Sequence, residues 1–262
     1  MSAIEPRPEA KNRIAADPAA HLRAFTPARV GLGRTGVSLT TRDLLDFNRC
    51  HAVARDAVHT HLESASLAAA LAAIANNQTL RLHSAAADRA IFLQRPDLGR
   101  MLDESSRCRL AEIPKHQTSD LALVIADGLS ALAAERHAPP LLTELLPLLP
   151  GWWLAPICIV EQGRVAVGDE IGAALHASIS VVLIGERPGL SSPHSLGAYI
   201  TWQPHPGRTD AERNCISNIR PEGLHYSAAA AQLAFILNEA RRLQITGVQL
   251  GAEALRLEDQ ER

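Results

Sequence analysis

Apolar residues follow two rhythms along this chain, helical in the first part and strand-like in the second. From Thr40 to Glu63 they recur at helical spacing, with Leu44, Leu45, Phe47 and Val53 as apolar positions and Thr40 or Thr41 as a cap. Ser64 to Asn76, nearly all Ala and Leu with Ile74, predicts a second helix, and Met101 to Ile113 a third. The polar stretch 1–20, with Pro6, Pro8 and Pro18, reads as a mobile lead-in.

Near Ser119 the pattern changes. Leu121 to Ala126 is a short branched run that suits a buried strand; it ends in Asp127-Gly128, and Leu129 to His137 reads as a helix. Pro139-Pro140 is expected to break that helix, leaving a short helical piece from Leu141 to Leu149. Trp152 to Val160 reads as a strand interrupted or edged at Pro156. Gly168 to Ala177 is a predicted helix with Asp169 and Glu170 in its first turn, where carboxylates suit the positive end of the dipole. Ile179 to Ile184 is the clearest strand, Ala198 to Trp202 another, and Ser227 to Leu243 the last long helix, with Gly247 as its stop. Strands alternating with helices imply βαβ units and a mainly parallel sheet, hence an α/β fold. The expected organisation is a lead-in at 1–20, a helical part at 21–117 and an α/β part at 118–262. Ligands of such sheets gather at the carboxyl ends of the strands. Two polar segments fall there, Asp127 to Ser130 and Gly185 to Leu190.

Composition narrows the function classes. With 47% hydrophobic and 21% charged residues in 262, a soluble globular protein is expected, and 3% aromatics leave its packing to aliphatic side chains. A net charge of −2 argues against nucleic acid as a partner. No apolar run is long enough to span a bilayer, and Met1 to Asp17 lacks the apolar segment of a secretory signal, so neither membrane insertion nor export is expected. Cys50, Cys108, Cys158 and Cys215 form no CxxC pair and read as reduced thiols; His59 and His61, two apart, would face different sides of a helix. No metal site and no catalytic residue is assigned.

Gly31-Leu-Gly-Arg-Thr-Gly36 matches the dinucleotide pattern G-x-G-x-x-G but not its context. The preceding Phe25 to Val30 is short and broken by Pro27, and the helix begins late, so the segment reads as a glycine-rich connection.

Several stretches together resemble the small, or light, subunit of ethanolamine ammonia-lyase. They are Gly33-Arg-Thr-Gly36, Phe92-Leu-Gln-Arg-Pro-Asp-Leu-Gly-Arg100, Ile125-Ala-Asp-Gly-Leu-Ser130, Gly163-Arg-Val-Ala-Val-Gly-Asp-Glu-Ile-Gly172, Ile184-Gly-Glu-Arg-Pro-Gly-Leu190 and Cys215-Ile-Ser-Asn-Ile219. The resemblance implies a helical domain followed by a Rossmann-like domain, a large barrel subunit as partner, and adenosylcobalamin bound between the two. In that family, cobalt–carbon homolysis starts the radical conversion of ethanolamine to acetaldehyde and ammonia, with the protein supplying orientation and electrostatics. It also implies that this chain is inactive alone.

Three cofactor contacts of the family carry over: Val165 of the Gly-Arg-Val turn, Glu186 of Gly-Glu-Arg-Pro-Gly, and Cys215 of Cys-Ile-Ser-Asn-Ile. A Glu186 carboxylate at the end of the best strand could accept hydrogen bonds from corrin amides; the competing reading pairs it with Arg187. Val165 would act through its backbone or as a wall, and otherwise reads as core. Cys215 lacks an activating His or acid at recognisable spacing and reads as a small contact rather than a nucleophile. Arg95 and Arg100 face either the partner or solvent. No Asp-x-His occurs, which fits a family that keeps the cofactor's own base on cobalt. Two departures stand out. The lead-in is shorter than the extension that longer relatives use to enter a bacterial microcompartment, which leaves the free cytoplasm as the alternative. The stretches 203–214 and 220–227 carry His205, His225 and Tyr226 in place of more usual residues. The competing classes are a Rossmann-type nucleotide-binding enzyme and a non-catalytic assembly module.

Overall fold

In the computed structural model, which describes residues 14–26, 28–75, 78–114 and 118–251, the chain enters through a 3-10 helix at Pro18–Ala24, capped by the Asp17 carboxylate. A two-stranded hairpin follows, β1 (Arg34–Thr35) and β2 (Ser38–Leu39), antiparallel and turned at Gly36, whose φ of +62° a residue with a side chain rarely adopts. The glycine-rich motif therefore builds a hairpin, with no buried strand before it among the described residues. Then come α1 (Thr41–His59), α2 (Ser64–Ala75), β3 (Thr79–His83), α3 (Arg89–Gln94) and α4 (Glu104–Ala111). The expected end of the second helix at Asn76, the break at Pro27, the boundary at 117 and positions 1–13 of the lead-in lie outside the described residues. The second part supplies β4 (Ser119–Ala126), α5 (Ala131–Leu145), β5 (Ile157–Glu161), α6 (Val167–Ala174), β6 (Ala177–Gly185), β7 (Leu196–Trp202), β8 (Arg213–Ile219) and α7 (Tyr226–Leu243).

Six of these strands form one mixed sheet in the order β3-β5-β4-β6-β7-β8. The first four run parallel, whereas β7 is antiparallel to β6 and β8 to β7. The architecture is thus α/β with a mainly parallel sheet. On one face Leu121, Leu123, Ile125, Ile159, Val181 and Leu183 pack under α2, α5 and α7. On the other, Val124, Cys158, Val160, Val182 and Ile184 pack under α6 and α4. Each fully buried aliphatic side chain contributes about 1.5–3 kcal/mol relative to exposure, so these two layers dominate the stability.

Four local expectations change. The first part is not only helical: β3 pairs with β5 along its whole length and forms one edge of the sheet. The segment Trp152 to Val160 gives a shorter strand, begun only after Pro156 and lying inside the sheet between β3 and β4. Pro139 and Pro140 do not break α5. Prolines there leave the carbonyls of Glu135 and Arg136 without helical donors, but both residues lie off the buried side, which is made by Ala131, Ala134, Ala138, Leu141, Leu142 and Leu145. Burial of that side holds the helix straight through. Finally, α7 ends at Gln244, itself left-handed at φ +60°, three residues before Gly247.

Helix α1 is the exception to the burial pattern. Of its 19 residues only Ala57 is buried, while Leu44, Leu45, Phe47 and Val53 remain exposed. The amphipathic spacing made the helix, and the described chain does not cover it.

Candidate functional site

The carboxyl ends of β4, β5 and β6 converge with the turns that follow them. Behind β4, Gly128 lies so close to Gly185 and Ile184 that a side chain there would collide with the Gly185 carbonyl, and the Leu129 N–H donates to that carbonyl at 2.9 Å. The two polar segments singled out in the sequence therefore touch. Glycine is needed for the contact and, at Gly128, for a φ of +54°.

Glu186 is the first residue beyond β6 and is half-buried. Its backbone N–H donates to the Ser195 carbonyl at 2.9 Å, and its Oε2 accepts from the Asn218 N–H at 3.1 Å. Asn218 can aim that N–H because its φ is +59°, and the Arg220 guanidinium holds its side-chain oxygen at 2.8 Å. Arg187 does not pair with Glu186; among the described residues no cation forms an ion pair with this carboxylate. Beside it Gly197 leaves room: a Cβ there would lie 3.1 Å from Glu186 Oε1.

Cys215 sits on β8 directly opposite Tyr199 of β7. The residue is exposed, yet its sulfur rests against Tyr199 and is shielded on that side. Burial raises the thiol pKa, and the nearby Glu186 carboxylate pushes the same way against the opposing Tyr199 hydroxyl. Tyr199 is held well above its ordinary value, first by burial and then by Cys215 and Glu186. Both groups therefore keep their protons near neutral pH, which leaves Cys215 without thiolate character.

Val165 lies in the turn between β5 and α6, half-buried, and packs with Tyr199 against the same core layer. The structure thus brings all three predicted residues to one side of the sheet, at or near the carboxyl ends of its parallel strands. It adds Tyr199, Gly197 and Asn218, which sequence reasoning missed. Asn218 stood inside the quoted Cys-Ile-Ser-Asn-Ile motif; Tyr199 gave no signal beyond being one of two tyrosines.

Next to Val165 is a charged cluster. Asp127, buried at the end of β4, accepts from the Gln162 and Gly163 N–H groups at 2.9 Å each and from Arg89 Nη1 at 3.3 Å. Burial pushes its carboxyl up to about 6, against the pull of Arg89 and the backbone donors. Of the departing positions, Tyr226 and His225 serve local structure. His137 Nδ1 and the Tyr226 hydroxyl lie 2.9 Å apart between α5 and α7, and His225 meets Ser227 at 3.1 Å. No group of three or more His, Cys, Asp or Glu suited to a metal ion occurs among the described residues, and no helix among them is long and apolar enough to cross a membrane.

Fold and site together define an α/β protein in which one fixed carboxylate lies among protonated and apolar neighbours near the carboxyl ends of the parallel strands. Comparison with known proteins gives the particular family. Residues 16–251 match the family described as ethanolamine ammonia-lyase light chain (EutC). A protein of Pseudomonas paraeruginosa named ethanolamine ammonia-lyase small subunit is 57% identical over 237 residues, 89% of this chain and 86% of the relative. Proteins of the same name from Pseudomonas syringae pv. tomato (54% identical, 93% of this chain and 86% of the relative) and Ralstonia nicotianae (56%, 87% and 86%) are also similar. The chain belongs to the ethanolamine ammonia-lyase light chain family.

Proposed function

We propose that the chain is the small subunit of an adenosylcobalamin-dependent ethanolamine ammonia-lyase, and that its open sheet corner forms one wall of a cofactor site completed by a large subunit. The observation that carries this reading is the state of Glu186. Its carboxylate is oriented by the Asn218 N–H and has no cationic partner among the described residues, so acceptor capacity remains for a ligand. The amide groups that fringe a corrin ring are donors of the matching kind. Cys215, protonated and hydrogen-bonded to Tyr199, supplies a compact neutral contact, and Val165 an apolar one. When bound, the cofactor supplies cobalt–carbon homolysis for the conversion of ethanolamine to acetaldehyde and ammonia; the chain's own residues orient it and keep water from its edge.

The same reading includes a Rossmann-like arrangement of the second part behind a mainly helical first part, and a hetero-oligomer. Support for a partner comes from α1, whose exposed Leu44, Leu45 and Phe47 form more apolar surface than a solvated helix keeps without cause. The reading places the complex in the cytoplasm, with a bacterial microcompartment as the alternative compartment. The test is ammonia release from ethanolamine and the absorbance of bound cobalamin, measured for each subunit alone and for the mixture. Activity and tight binding are expected only in the mixture. Robust turnover by this chain alone, or a mixture that binds no cobalamin, overturns the reading.

A further inference from the structure

Two arginines beside Val165 share one carboxylate. Arg89, buried to 5% exposure, donates from Nε to the Val58 carbonyl at 2.5 Å and from Nη1 to Asp127 at 3.3 Å and Gln162 at 3.2 Å. Its buried Nη2 has no hydrogen-bond partner among the described residues. Arg164 makes one long bond, from Nη2 to the Phe92 carbonyl at 3.4 Å, and its buried Nε has none. Both guanidinium groups lie over the Phe92 ring, 4.7 and 4.1 Å from its centre. Asp127 is the carboxylate facing them, and two backbone N–H groups already occupy it. Arg95, in the same segment, is spent on Asp97, whereas Arg164 forms no ion pair among the described residues. Burial first, and then Arg89, disfavour the charged form of Arg164 against the pull of Asp127. Cations crowded and desolvated in this way are costly without a counter-charge. Arg164 is only partly buried, so the missing charge can reach it from outside.

We propose that Arg164, backed by Arg89, is an oxyanion site that takes the phosphodiester of the cofactor's nucleotide tail. A guanidinium fork with free N–H groups matches a phosphate oxygen pair. Arg164 directly precedes Val165, so an anion at its fork would sit beside the turn proposed to border the corrin. The assignment of the anion to that tail rests on the cobalamin reading above; the charge imbalance does not.

The experiment compares cobalamin with cobinamide, which keeps the corrin and lacks the tail with its phosphodiester, on the assembled two-subunit complex. Arg164→Gln is expected to weaken cobalamin binding roughly tenfold to a hundredfold, the usual worth of a charge-assisted bond, and cobinamide binding by less than about twofold. Arg164→Lys is expected to recover part of the loss, because it keeps the charge and loses the fork. Equal losses for both ligands, or none for either, overturn the proposal; if Arg164→Gln instead weakens subunit association, the anion is a partner carboxylate and the phosphodiester assignment is wrong. A wild-type complex that binds neither corrinoid overturns both this proposal and the functional reading, whereas a wild-type complex that binds both with an unaffected variant overturns this proposal alone.

Discussion

Two buried Asp–Arg pairs flank this sheet, and they are built differently. Arg213 of β8 meets Asp169 of α6 as a two-pronged fork, Nη1 to Oδ1 and Nη2 to Oδ2, each at 2.6 Å. Thr201 and the Arg208 carbonyl take further donors at 2.8 and 3.0 Å. Burial alone would lower the Arg213 pKa, but Asp169 more than offsets it and the guanidinium is held above its ordinary value. Arg89 touches Asp127 through one 3.3 Å contact, and there burial wins on both sides, lowering Arg89 and raising Asp127. The same two residue types, both buried, make a two-pronged clasp with one spare nitrogen, Arg213 Nε, in one place and a single long contact in the other. The clasp ties a helix to a strand. The imbalance stands at the carboxyl ends of the parallel strands, where an α/β sheet receives its ligands.

Opening the clasp should have the largest effect. Arg213→Met leaves Asp169 buried without its partner and is expected to cost about 3–5 kcal/mol, read as a shift of the denaturant midpoint. A loss below about 1 kcal/mol would mean that the fork is not a structural clamp. The unbalanced cluster should reveal itself through pH. The folded-state pKa of Asp127, about 6, exceeds the ordinary aspartate value of 3.8, so between these values the folded protein binds more protons than the unfolded chain. Stability from this group is therefore full at the acid end and falls as pH rises through 6, by at most roughly 3 kcal/mol. Asp127→Asn should flatten that stretch of the stability–pH curve; parallel curves for the two proteins would show that Asp127 titrates normally. The smallest effect concerns the ligand face. Glu186→Gln in the complex should weaken cobalamin retention by about 1–3 kcal/mol while leaving the unfolding midpoint unchanged. Unaltered affinity would remove Glu186 from the site.

Most of the architecture was legible because the strands carry long branched runs. Leu121 to Ala126 and Ile179 to Ile184 are buried on both faces, and such strands announce themselves without alternation. Thr79–His83 did not, because an edge strand needs fewer apolar residues, and Arg81 is exposed within it. The double proline misled because local rules carry no information about which carbonyls face water. Glu186 was legible from its place after a clear strand, but the Asn218 N–H that aims it comes from a strand two positions away in the sheet and from a left-handed residue, neither visible in spacing. The Arg89–Asp127–Arg164 cluster escaped because its members come from three separate segments, and charge balance exists only after folding.

The strand order has a consequence for synthesis. Among the described residues Thr79–His83 has Ile157–Glu161 as its one strand partner, so apart from the His83 carbonyl, which accepts from the Asp103 N–H, this edge has no ladder until the chain has been made as far as Glu161. The nascent chain must carry β3 without its strand partner while α3, α4, β4 and α5 are translated, and loop closure over that distance is paid before the ladder rewards it. A ribosome-bound intermediate halted before Ile157 would thus hold α1 and α2 ahead of an unpaired strand, and would be the species most in need of a chaperone.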